Sequence, residues 1–324
     1  MGADDRTLEA LKATMGPELL SYMTDDNVFE LMLNSDGKLW IDTFDKGCID
    51  SGMTIEASQA KRIIYAVSAL SNQVIDTEKR PFLEADIKAN YLFSNCRFQG
   101  ELPTIVDAPS FNIRKHSKQI FSLDDYVEQG TMSSAQKEAL ITAIKSHKNI
   151  IAAGGTASGK TTMLNAILNE ISKSDDRVII IEDTPELQCS AKNHQNLKTR
   201  QPLVDMDALL RITLRKSPKR IVVGEVRGKE ALTLLTAWST GHRGGCSTIH
   251  SDSALDTLYR LEEMISEASL TPQQARIGRA IDVVVYLRMV GLKRVVEDII
   301  EVVGYNKTTG EYITKSLGKY SPAA

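Results

Sequence analysis

The sequence predicts an α/β protein in two parts: a smaller N-terminal α+β domain, residues 1–128, and a parallel-sheet domain, residues 129–324. Three observations carry this. In the second part, short apolar segments alternate with amphipathic ones, the pattern of a mainly parallel sheet covered on both faces. The first part mixes helix and strand signals without that alternation. Finally, "GGTASGKTT", residues 154–162, has the G-x-x-x-x-G-K-[ST] spacing of a phosphate-binding loop between a strand and a helix. A length of 324 residues suits two domains of roughly 100–200 residues each.

The elements follow in order. "VFELMLN" and "LWIDTF" read as strands around the turn "SDGK". "SQAKRIIYAVSALSNQVI" places Ala60, Ile63, Ile64, Val67, Leu70 and Val74 on one helical face. "RFQGELPTIVDAPSFNIRK" is rich in turn residues and reads as short strands and loops. The character changes around "LDDYVEQGTMSSAQ". The strand "KNIIAA" then leads into the phosphate loop. The helix "KTTMLNAILNEI" follows, burying Met163, Leu164, Ile167, Leu168 and Ile171. "RVIIIED", "RIVVGE", "CSTIH" and "DVVVYL" are strands. "MDALLRITLRK", "GKEALTLLTAWS" and "SALDTLYRLEEMI" are helices between them, and the tail is a hairpin turning at "NKTTG".

Composition narrows the function classes. Net charge is −3 and aromatic residues are 6%, which argues against a basic, aromatic-lined strand channel, so no direct nucleic-acid binding is expected. Cys48, Cys96, Cys189 and Cys246 are scattered without a C-x-x-C pair and read as reduced thiols of a cytosolic protein. No apolar run approaches the ~18 residues of a membrane span. The start "MGADDRTLEALKAT" lacks the basic and apolar regions of a signal peptide. Membrane contact is therefore expected to be peripheral.

The chemistry sits in four stretches. Gly154, Gly155, Thr156, Ala157, Ser158 and Gly159 form the loop whose backbone N–H groups can wrap phosphate oxygens at a helix N-terminus. Lys160 can reach the β- and γ-phosphates, and the Thr161 hydroxyl can ligate Mg²⁺, with Thr162 next to it. "RVIIIEDTPEL" ends a strand in carboxylates. Glu186 or Glu182 could orient a water, and Asp183 could equally be a structural acceptor. In "RIVVGEVRG" Gly224 takes the place of the usual Asp, leaving Glu225 to hold Mg²⁺ through water, with Arg227 beyond it. "STGHRGGCSTIHS" spaces His242, Cys246 and His250 by four. The glycines and β-branched residues argue against the single helical face a metal would need, so His250 is placed at a strand end near the phosphates. Arg97 and Arg114 in the first part, with Arg227, are the arginines suited to γ-phosphate charge.

The order "GGTASGKTT", "IIIEDTPEL", "RIVVGEVRG", "TGHRGGCSTIHS" resembles the four nucleotide motifs of the type II/type IV secretion traffic ATPases. "VFELMLNSDGKLWID" and "FSLDDYVEQG" resemble its TrbB-like, conjugative branch. The resemblance implies a RecA-like P-loop motor domain with a smaller N-terminal domain, and ATP and Mg²⁺ as ligands. It implies a homohexameric ring, cytoplasmic and held at the inner membrane through coupling and inner-membrane components of the secretion machine. By residue it implies Lys160 and Thr161 as the loop pair, Glu186 as water activator, Glu225 as the second-motif acid and His250 as the last His-box histidine. It also implies that Arg97 and Arg114 reach over the phosphates. Where relatives read "RPDR", this chain has "SPKR", so Lys219 carries no acid role. A RecA-type nucleic-acid-dependent ATPase is the alternative. A small-molecule kinase lacks its arginine-rich lid here, and a GTPase its N-K-x-D.

Overall fold

The computed structural model describes residues 3–87, 95–116, 120–200 and 202–320. The chain divides into two compact units, Met1–Gln119 and Ile120–Ala324.

The first unit runs α1 (Ala3–Thr24), β1 (Val28–Leu33), β2 (Lys38–Thr43), β3 (Gly47–Thr54), α2 (Ala57–Leu70), β4 (Phe82–Ile87), β5 (Cys96–Glu101) and β6 (Ser110–Lys115). Its six strands form an antiparallel sheet in the order β3-β2-β1-β6-β5-β4. Strand side chains alternate between faces. Leu31, Ile41, Phe98 and Ile113 therefore pack on Ile63, Ile64 and Val67 of α2 and Leu11, Met15 and Leu19 of α1. The opposite face carries Glu30, Asp42, Arg97, Gln99, Asn112 and Arg114 beside Met32 and Trp40. Gly16, at φ 76, kinks α1 just before Pro17.

The second unit runs α3 (Leu123–Glu128), α4 (Ser134–Lys145), β7 (Ile150–Gly154), α5 (Lys160–Ile171), β8 (Val178–Glu182), β9 (His194–Lys198), α6 (Met206–Thr213) and β10 (Arg220–Val223). It continues with α7 (Glu230–Ser239), β11 (Cys246–Ile249), α8 (Asp256–Ser266), α9 (Gln274–Ala280), β12 (Val283–Val290), β13 (Lys293–Asn306) and β14 (Glu311–Lys319). The sheet order is β14-β13-β12-β7-β11-β10-β8-β9. From β12 to β9 every neighbour pair is parallel; β13 and β14 add an antiparallel hairpin. Both faces are covered. Ile151 and Ala153 of β7 join one core with α6, α7, α8 and α9, while Ile150 and Ala152 join the other with α3, α4 and α5.

Some expectations change. The division falls earlier than 128/129, because Leu123 and Tyr126 of α3 are buried in the second unit's core. Val74 lies beyond the end of α2 and is 75% exposed, so the helical face stops short of it. The sequence reading had no α1, β3, β4, α3, α4, β9 or α9. In β9, "HQNLK" alternates exposed and half-buried residues at a sheet edge, leaving little apolar signal.

Candidate active site

Because β7, β8, β10 and β11 are parallel neighbours, their C-terminal ends lie along one edge of the sheet, where ligands of open α/β sheets bind. The four motifs, spread from Gly154 to His250, each follow one of these strands. That connectivity makes them neighbours.

The loop leaves β7 at Gly154, whose φ of 152 suits glycine, and a Cβ there would stand 2.2 Å from the Leu287 carbonyl oxygen. It ends at Gly159, left-handed at φ 95, which is the N-cap of α5. Lys160 opens that twelve-residue helix and is 8% exposed. Its ammonium donates to the Gly155 carbonyl at 2.8 Å and lies 3.3 Å from His250 Nδ1. Lysine only donates, so Nδ1 is the accepting nitrogen and the ring proton sits on Nε2. Nε2 in turn lies 3.1 Å from Glu225 Oε1. Burial, then the Lys160 charge, hold the His250 pKa below its usual value, so the neutral ring is favoured.

Glu225 is anchored from its other oxygen. Arg227 Nε donates to Oε2 at 2.8 Å, and its terminal nitrogen reaches the same atom. Glu230 at the start of α7 shapes this turn by accepting from the N–H groups of Arg227 and Gly228. The Arg227 pKa is raised, first by the Glu225 hydrogen bond and then by the Glu225, Asp183 and Glu186 charges. Lys160, His250, Glu225 and Arg227 thus form one chain of contacts through three motifs.

The two open glutamates differ. Glu182 is 4% exposed, and its Oε1 accepts the N–H groups of Glu186 at 2.9 Å and Leu187 at 2.8 Å. Burial pushes its pKa up to about 7. It packs on Gly224, where a Cβ would come 3.1 Å from Glu182 Cγ. The slot of the missing Asp in "GEVRG" is therefore crossed by a glutamate from the neighbouring strand. Glu186 is half-buried. Asp183 accepts from Thr199 Oγ1 at 2.8 Å, its structural option.

Two residues that hold these loops escaped the sequence reading. Asn149, fully buried, accepts the N–H groups of Gly244 and Gly245 and so sets the loop before β11. Asn165 accepts from the Gln188 N–H at 2.8 Å. A polar residue on the buried face of "KTTMLNAILNEI" was the available signal. Cys246 and Ile249 bound the strand β11, so His242, Cys246 and His250 have no common helical face, and burial pushes the Cys246 thiol up to about 12. Arg97 and Arg114 sit directly opposite each other on β5 and β6, with Asp86 and Glu30 as the outer cross-strand neighbours.

The site suits an anionic ligand with a cation. Ser158 Oγ in the loop is a buried polar atom that no hydrogen bond satisfies among the described residues, and Glu225 Oε1, although 3.1 Å from His250 Nε2, accepts no hydrogen bond either. Buried polar atoms of this kind call for a ligand or water.

The family described as type II/IV secretion system protein matches residues 21–308. A probable conjugal transfer protein TrbB of Sinorhizobium fredii is 43% identical over 299 residues, 92% of this chain and 90% of that protein. The conjugal transfer protein TrbB of Rhizobium radiobacter is 42% identical over 302 residues, 93% and 91% of the two chains. Among solved structures, the Legionella pneumophila ATPase DotB aligns with a TM-score of 0.62 at 18% identity, over 90% of this chain and 78% of that one, a likeness of fold.

Proposed function

This chain belongs to the type II/IV secretion system protein family, and from that premise we propose that it is an ATP-hydrolysing motor of a conjugative type IV secretion machine. The observation that carries the reading is the contact chain Lys160–His250–Glu225–Arg227, which joins the phosphate loop to the two later motifs. Such an arrangement surrounds a triphosphate with groups that can follow its charge.

In this reading Gly154 to Gly159 and the α5 N-terminus bind the β- and γ-phosphates, and Lys160 exchanges its bond to the Gly155 carbonyl for one to phosphate. Thr161 and, through water, Glu225 would hold Mg²⁺, which when bound neutralises phosphate charge. Glu186 orients the attacking water. Water adds to the γ-phosphorus as the bond to the β-phosphate oxygen breaks, releasing ADP and phosphate. Glu182 acts through the backbone that follows β8, holding the Glu186 N–H. His250, whose Nδ1 faces the Lys160 ammonium, senses the loss of the γ-phosphate through Lys160. Arg97 and Arg114, adjacent across β5 and β6, are the first unit's candidates to meet γ-phosphate charge. Release of phosphate then moves the first unit, turning hydrolysis into work. The working form is a homohexameric ring, held at the inner membrane by other components of the machine.

The test is Lys160→Ala in purified protein. Phosphate contact is lost while β7 and α5 keep their buried faces, so hydrolysis is expected to vanish with the thermal unfolding midpoint unchanged. Parental turnover by the variant would overturn the assignment.

A further inference from the structure

The phosphate loop contains a residue in an unfavourable conformation. Ala157 has φ 59, in the left-handed region where a Cβ is strained. Its carbonyl accepts a hydrogen bond from Arg294 Nε at 2.9 Å. The same arginine's stem covers Gly159, where a Cβ would stand 3.2 Å from Arg294 Cδ and 3.7 Å from its Cβ. Arg294 belongs to none of the four motifs. It lies on β13, opposite Met289 of β12, in the part of that hairpin running past Leu287, the β12 residue paired with Gly154 of β7. β7 lies between β11, which leads to His250, and β12. The loop is thus gripped on both flanks, by His250 and Lys160 on one and by the β12–β13 hairpin on the other.

We propose that Arg294 is a positioning residue for nucleotide binding, holding the left-handed turn at Ala157 so that the loop N–H groups converge on the phosphates. This rests on the ATPase reading above. An arginine suits the place because one donor reaches the carbonyl while the methylene stem lies flat on Gly159. Its hydrogen bond is charge-assisted and so stronger than one from a neutral group. The residue acts on the loop and not on the reacting atoms, so its loss falls on ATP affinity more than on turnover.

The experiment measures binding of a fluorescent ATP analogue with Mg²⁺, and kcat and KM for ATP, in full-length protein. Arg294→Ala is expected to raise Kd and KM about tenfold, with kcat falling less than about threefold, as suits one hydrogen bond to a charged group. Arg294→Lys keeps a charged donor and should recover part of the affinity. The deciding comparison uses Ala157→Gly as background. Glycine takes φ near 59 without strain, so there the clamp matters less, and Arg294→Ala should cost less than about threefold. Equal losses in both backgrounds mean that Arg294 acts directly on nucleotide or on the hairpin's fold, and either overturns the positioning role. So does no loss in the parent background. If Arg294→Ala fails to fold, Arg294→Met, which keeps a stem of similar length and has no donor, carries the same comparison. Lys160→Ala separates the two levels. Should it hydrolyse ATP at the parental rate, the phosphate-loop assignment falls and the proposal with it. Should it be inactive while Arg294→Ala binds normally, only the proposal falls.

Discussion

The two units set their charged residues in opposite ways. In the second, Lys160, Glu225 and His250 come from stretches far apart in the chain and meet because each follows a parallel strand. In the first, Arg97 and Arg114 stand within an antiparallel sheet, neighbours through strand register. A site at parallel strand ends is assembled by loops, whose backbone satisfies buried groups such as Lys160 and Glu182. A site on an antiparallel face is an open row whose members answer to cross-strand partners. The difference separates groups held by loop backbone at parallel strand ends from groups held only by cross-strand register.

The sharpest way to break this comparison is at the carboxylates. Glu186→Gln is expected to cut kcat by about 10³-fold with Kd for ATP nearly unchanged, since water positioning acts on the transition state. Glu225→Gln should follow it. A variant that only raised KM at full kcat would remove that residue from its role.

Glu182 tests the buried side by pH. Its folded-state pKa, about 7, lies above the ordinary 4.5, so the folded chain keeps this proton to higher pH than the unfolded chain. Stability therefore falls as pH rises from about 4.5 to about 7 and stays lowered above it. Glu182→Gln has no such proton. Across that window its unfolding free energy should move, relative to the parent, in the variant's favour by roughly 3 kcal/mol at most. Parallel pH–stability curves from chemical denaturation would show that Glu182 is not held as a buried acid.

On the open row, Arg114→Ala should lower kcat by at least about tenfold with a modest change in ATP affinity, a cautious bound for an arginine meeting γ-phosphate charge. A fragment starting at Ile120, the first residue of the second unit, should still bind the fluorescent ATP analogue but hydrolyse slowly. Normal turnover by Arg114→Ala would leave the first unit without a part in catalysis. The smallest effect is expected at Val74, 75% exposed. Val74→Ser should change unfolding free energy by less than about 0.5 kcal/mol, as for surface positions generally. A larger loss would mean that the residue is covered in the working protein.

Much of this was determined by the sequence alone. The phosphate loop, the helix Lys160–Ile171 with its buried Met163, Leu164 and Ile167, and the order of strands that carry Glu225 and His250 all follow from local spacing. Alternation and 3.6-residue periodicity arise within one element, so they survive without knowledge of neighbours. Tertiary structure decided what depends on neighbours. Glu182 and Glu186 are four apart in one stretch, and the chain alone left both open. Glu182 turns inward because β10 lies beside β8 with Gly224, lacking a side chain, at the point of contact. The ring proton of His250 falls on Nε2 because Lys160 stands at Nδ1. The grip of Arg294 on Ala157 joins residues on β13 and after β7 that only the sheet order makes neighbours. Burial and hydrogen bonding are properties of a residue's surroundings, and those surroundings come from distant segments through strand pairing.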